Sequence, residues 1–222
     1  MKRLWALCVL VFAFCVPSVA YAVPLIGSIS SSPGGGLVAT GSWGAGGAAL
    51  SWRVSSVGSL WQYDYRFEVD RKDISHVLTE VSPTFTVKNI RQGTSPYDGP
   101  DLFGNQGGSS PGIPADLWSL KFTPSSDTTD FSWTIVSDRE PMWGDFYAKD
   151  GVDRGVDVYA YNASFGLVSG LSYTATAPFG FLLVPDTNNG SNRISEPNSL
   201  LMFAAAFLLF GVSRRRLKTV RV

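Results

Sequence analysis

From Leu60 onward apolar and polar residues alternate without a break, with Trp61, Tyr63, Tyr65, Phe67 and Val69 on one parity and Gln62, Asp64, Arg66, Glu68 and Asp70 on the other. A period of two predicts a strand with one buried and one wet face. Shorter alternations at Phe85 and Val87, at Trp118, Leu120 and Phe122, and at Phe131, Trp133 and Ile135 predict further strands. A weaker one sets Val156, Val158 and Ala160 against Asp157, Tyr159 and Tyr161, and Phe179 to Val184 is a continuous apolar run. Gly, Pro, Ser, Asn and Asp clusters separate these runs and supply turns. No stretch of the middle carries a 3.6-residue pattern. The expected fold is all-β, a single β-sandwich or jelly-roll-like domain over residues 23–193. Two stretches read as irregular: Ser28 to Gly47 as a loosely paired edge, and the Gly- and Pro-rich Gln92 to Asp116 as a long mobile loop.

The two ends break the pattern. Lys2 and Arg3 precede an apolar run from Leu4 to Val16, followed by Pro17, Ser18 and the small residues Ala20 and Ala22 flanking Tyr21. This three-part order predicts a secretory signal peptide over residues 1–22, cleaved after Ala22. The run is shorter than the roughly 20 apolar residues a spanning helix needs. Cys15 invites a lipid-attachment reading, but the bulky Phe14 before it disfavours that processing. At the other end a second apolar run, Leu200 to Val212, abuts Arg214, Arg215 and Arg216. Arginines directly after an apolar helix stay cytoplasmic, which places the preceding domain outside, as the signal peptide does.

Glu196, Pro197 and Ser199, the apolar run, Gly211 and the arginine cluster together resemble the PEP-CTERM protein-sorting signal over residues 194–222. Ser195 stands where that motif has its first proline. The resemblance implies a substrate of exosortase, a membrane-embedded cysteine transpeptidase that recognises the motif and cuts the tail, in Gram-negative hosts that make extracellular polysaccharide. On that reading Glu196, Pro197 and Arg214 to Arg216 are recognition positions of a substrate, and the partners are signal peptidase with the Sec machinery, an exosortase-like transpeptidase, the membrane through the C-terminal helix, and extracellular polysaccharide. Plain anchoring by an uncut tail is the competing outcome. The chain lacks the Leu-Pro-x-Thr-Gly motif of a Gram-positive wall anchor, and its arginine ending differs from a eukaryotic lipid-anchor signal. Ile74 to His76 and Pro141 to Gly151 are similar to stretches of uncharacterised PEP-CTERM proteins, with no activity attached.

Charge and cysteine content narrow the middle further. Seven of the 18 basic residues lie in the two ends, while every acidic residue except Glu196 lies between them. An acidic middle domain has no electrostatic footprint for nucleic acid. Both cysteines, Cys8 and Cys15, fall in the signal peptide, so the mature domain has no disulfide, thiol nucleophile or zinc-thiolate site. A domain of this length buries enough apolar surface to fold without such staples.

Candidate chemistry concentrates in one acidic stretch. Asp150, Asp153 and Asp157, set among Gly151 and Gly155, are candidate calcium ligands, because calcium takes several carboxylate and carbonyl oxygens on a turning backbone. The spacing is not that of an EF-hand, and solvated turn residues are the plainer reading. Trp143 and Tyr147, with Phe146 nearby, are candidates for a glycan-stacking platform, with core packing as the plainer reading. Glu140 and Asp145 form a nominal glycosidase pair of the kind any acidic β-protein offers. His76, the single histidine, has no Gly-x-Ser-x-Gly elbow to serve and reads as a sheet residue. The sequence therefore predicts an exported surface or matrix protein without enzymatic activity or obligatory cofactor, with an envelope enzyme or lectin-like domain acting on polysaccharide as the alternative.

Overall fold

A computed structural model describes residues 23–44, 46–104, 110–167, 171–173 and 177–185. The predicted signal peptide with Ala20 and Ala22, and the sorting segment with Glu196, Pro197, Arg214, Arg215, Arg216 and its helix, lie outside the described residues. Among the described residues thirteen strands run in chain order: β1 Leu25–Ser30, β2 Leu37–Ala39, β3 Ala48–Val57, β4 Leu60–Val69, β5 His76–Glu80, β6 Asp98–Phe103, β7 Leu117–Phe122, β8 Asp130–Ser137, β9 Pro141–Gly144, β10 Phe146–Asp153, β11 Val156–Asn162, β12 Leu171–Ser172 and β13 Leu182–Pro185. They form a four-stranded sheet in the order β1-β3-β4-β8, a six-stranded sheet β2-β11-β10-β5-β7-β6 and a small sheet β12-β9-β13. Every paired strand is antiparallel, and the fold is all-β.

The alternation at Leu60 is realised residue by residue. Trp61, Tyr63, Tyr65, Phe67 and Val69 of β4 are buried, in register with the buried row Ala48, Leu50, Trp52 and Val54 of β3. Val77, Leu120, Phe122, Phe146, Ala148, Val158 and Ala160 of the six-stranded sheet join the same core. Aromatic rings knit the two faces together: Phe67 meets Phe146 at 5.3 Å between centroids, and Trp133 of β8 stacks on Tyr65 at 5.1 Å and on Phe146 at 6.1 Å. The polar ends of Trp133, Tyr65 and Tyr63 find partners, as burial favours. Trp133 Nε1 donates to Thr79 Oγ1 at 3.1 Å, Tyr65 Oη to the Leu183 carbonyl at 2.8 Å and Tyr63 Oη to the Arg139 carbonyl at 2.6 Å.

The opposite face of the six-stranded sheet holds a smaller cluster of Leu78, Ile113, Leu117, Tyr147 and Phe165. This changes the reading of Gln92 to Asp116. Instead of one irregular loop, the segment contains β6, and its end packs Ile113 against the sheet. Gly112 adopts φ +69°, and a Cβ there would lie 2.0 Å from Cζ of Tyr159, so only glycine lets the chain cross that ring. Thr94 and Ser95, from the same segment, cap the outer edge of β8. Phe85 and Val87 are not a strand either. Phe85 is buried, whereas Val87 begins a 3-10 turn, Val87–Asn89, closed by a capping box between Thr86 and Asn89. Ser28 to Gly47 does lie at edges, since β1 and β2 end their respective sheets.

Candidate functional site

Glu80 ends β5, Asp145 links β9 to β10, and Asn162 ends β11, so sheet order alone brings them to one corner. The Glu80 amide donates to the Asp145 carbonyl at 3.0 Å, and the Asp145 amide donates to Glu80 Oε2 at 2.6 Å. Asn162 Nδ2 donates to Asp145 Oδ1 and to the Gly180 carbonyl, both at 2.8 Å, while its Oδ1 accepts from the Phe146 amide at 2.8 Å. The Gly166 amide fills Asp145 Oδ2 at 2.8 Å. Asp145 is 3% exposed and Asn162 fully buried. Burial, opposed by the hydrogen bonds from Asn162 and Gly166, raises the Asp145 carboxyl above its ordinary range. Burial and then the neighbouring Asp145 charge push Glu80 up to about 8.

His76, Leu78 and Glu80 share one parity of β5, which places the histidine on the same outer face. It is 7% exposed, with its ring 6.4 Å from that of Tyr147. Burial, and then the charges of Lys121 and Lys149, hold its pKa down at about 3. It is therefore a neutral sheet residue at physiological pH. Burial also pushes the Tyr147 phenol upward, and its Oη donates to the Pro111 carbonyl at 2.8 Å.

The structure relocates several sequence candidates. Trp143 is 7% exposed and Tyr147 fully buried; both belong to hydrophobic clusters, and Trp143 also lines an open groove beside β1. Asp150 and Asp153 lie on β10 and Asp157 on β11, around a register shift between Lys149 and Val152. Among the described residues no three His, Cys, Asp or Glu side chains gather as metal ligands, and Asp150, Asp153 and Asp157 sit at the hairpin end between β10 and β11. Asp145 takes Glu80 as its carboxyl neighbour and has both oxygens occupied by Asn162 and Gly166. Glu80 and Asn162 escaped the sequence reading because their partner lies 65 and 17 residues away, and only strand order reveals it.

A row of rings runs along this outer face, buried at its two ends. Tyr147, Tyr159 and Tyr161 stack at 6.3 and 6.2 Å, and Phe165 meets Tyr161 edge-on at 6.0 Å. Tyr159 and Tyr161 are half-buried, with Gly112 packed over the Tyr159 ring. A separate open groove of about 500 Å³ runs beside β1, lined by Ile26, Ser28, Trp52, Pro178 and Phe179 among others and by no charged side chain. No protein-family model, curated protein or solved structure matches the chain.

Proposed function

We propose that the chain is an exported surface or extracellular-matrix protein whose β-domain binds or builds rather than catalyses, and whose C-terminal segment is a sorting signal. Its architecture on this reading is a β-sandwich, the four- and six-stranded sheets facing each other across the aromatic core. The observation that carries the non-catalytic part is the closure around Asp145. Asp145 is 3% exposed with both oxygens accepting hydrogen bonds, whereas a general acid or base must reach a substrate proton. The topology and processing rest on the charge-flanked apolar runs at either end and on the PEP-CTERM resemblance. The protein passes the membrane through the Sec route, loses residues 1–22 and is cut near Glu196 and Pro197 by an exosortase-like enzyme. Mass spectrometry of the protein recovered from its host is expected to show a chain that begins at Val23 and lacks Leu200 to Val222. A mature species that keeps those residues makes the tail a permanent anchor.

The lectin-like reading draws on one observation of its own, the half-buried stack of Tyr159 and Tyr161. Flat phenol faces pack on the apolar faces of pyranose rings. Should the domain hold neutral polysaccharide there, Tyr161→Ala lowers its retention in affinity electrophoresis by roughly tenfold. Equal retention of the variant removes this surface from consideration.

A further inference from the structure

Sheet edges expose unpaired main-chain donors and acceptors, and proteins shield them with charge, proline, bulges or covering segments. Three of the four edges of the two larger sheets are shielded here. β8 is capped by residues 91–95, whose Arg91 and Ser95 amides donate to Val136 and Thr134 carbonyls. β6 carries Asp98 and Asp101 and a register shift between them. β2 has only three residues.

β1 is different. Its six residues, Leu-Ile-Gly-Ser-Ile-Ser, include no charge and no proline. The Ser31 amide donates inward to Ala48 of β3 and the Ser30 amide outward to Gly35, so by alternation the Ile26 and Ser28 main-chain groups also point outward. Among the described residues these groups have no main-chain partner. Ile26 is 76% exposed, and the uncharged groove with Phe179, itself 63% exposed, runs alongside. The open stretch has defined ends. Pro24 lacks an amide proton, and Ser30 is already taken by Gly35.

We infer that β1 pairs antiparallel with β1 of a second copy of this chain, joining two four-stranded sheets into one eight-stranded sheet. The strand suits itself. With Gly27 facing Gly27 of the partner copy on a two-fold axis, Ile26 of each copy opposes Ser28 of the other, and this register uses every outward main-chain group between Pro24 and Ser30. Glycine sits at the close-approach pair, where Cα atoms are about 4.5 Å apart. No like charges meet, since neither the strand nor the groove carries any. The inference goes beyond the proposed function and is independent of it, because the β1 edge is the same whether the tail is cut or kept.

Light scattering on the full-length chain in mild detergent tests it, with twice the monomer mass expected as concentration rises. Ile26→Lys places a charge on the edge and Ser28→Pro removes an outward amide; both are expected to restore the monomer, whereas Val38→Lys on β2 leaves the dimer intact. A spin label on Ser28→Cys, with Cys8 and Cys15 replaced by Ser, is expected to show strong dipolar broadening from a Cβ separation of about 7–8 Å. That readout holds even if an edge variant misfolds. A monomer at every concentration, a dimer that survives both edge variants, or an unbroadened label overturns the proposal.

Discussion

Replacing Asn162 with Leu is expected to destabilise the domain by about 3–5 kcal/mol, enough to unfold a marginal protein. The side chain is fully buried and serves three groups at once: the Asp145 carboxylate, the Phe146 amide and the Gly180 carbonyl. Leucine is close in size, so little of the loss comes from a cavity. Most comes from leaving one carboxylate oxygen, a donor and an acceptor without partners where water cannot reach them. Because these groups belong to different segments, the variant also loosens the join between β10, β11 and the turn before β13. Urea denaturation reads the effect, and a loss below about 1 kcal/mol would mean that the corner is not the tie described here.

The second large effect is on the dependence of stability on pH. Folded Glu80 holds its proton up to about 8, whereas an ordinary glutamate releases it near 4.5. Over that interval the folded chain binds more protons than the unfolded one, so this contribution is complete below 4.5 and is lost as pH rises through 8. His76 acts with the opposite sign. Its pKa of about 3 lies below the ordinary 6.5, so its contribution grows as pH rises from 3 to 6.5. The two slopes oppose each other between 4.5 and 6.5, and above 6.5 only that of Glu80 remains. Asp145, shifted in the same direction as Glu80, adds to the penalty of raising the pH. Glu80→Gln keeps an acceptor for the Asp145 amide and removes the ionisation. Thermal melts are expected to show wild-type stability declining from pH 6.5 to 8.5, with the variant more stable at pH 8 by on the order of 2–3 kcal/mol once partial exposure is allowed for. Identical pH profiles for the two proteins would show that Glu80 ionises in the fold without cost.

The strands that could be read from the chain are those whose two faces differ. β4 was visible because one parity is aromatic and the other charged, and β8 was nearly as clear. β5, legible only as a strand-like run around His76, shows no alternation: His76, Val77, Leu78 and Thr79 are all buried, because both faces of the six-stranded sheet are covered. Burial on both sides erases the alternation that marks a strand. β6 was hidden by its composition, since Gly99 and Pro100 are turn residues in most settings, and pairing with β7 makes Asp98–Phe103 a strand all the same. Phe85 and Val87 misled for the converse reason, as two apolar residues two apart fit a turn as well as a strand.

Local order along the chain was sufficient for the all-β class, the main aromatic core row and the acidic character of the middle, because each depends on spacing or count alone. The same residues left open which side chains meet. That Tyr147 lies under Pro111, that Glu80 becomes the hydrogen-bonded neighbour of Asp145, and that β1 has no main-chain partner on its outer side at Ile26 and Ser28 among the described residues follow from strand order and register. These relations join residues distant in sequence, and only closure of the sheets around a shared core brings them within hydrogen-bonding reach.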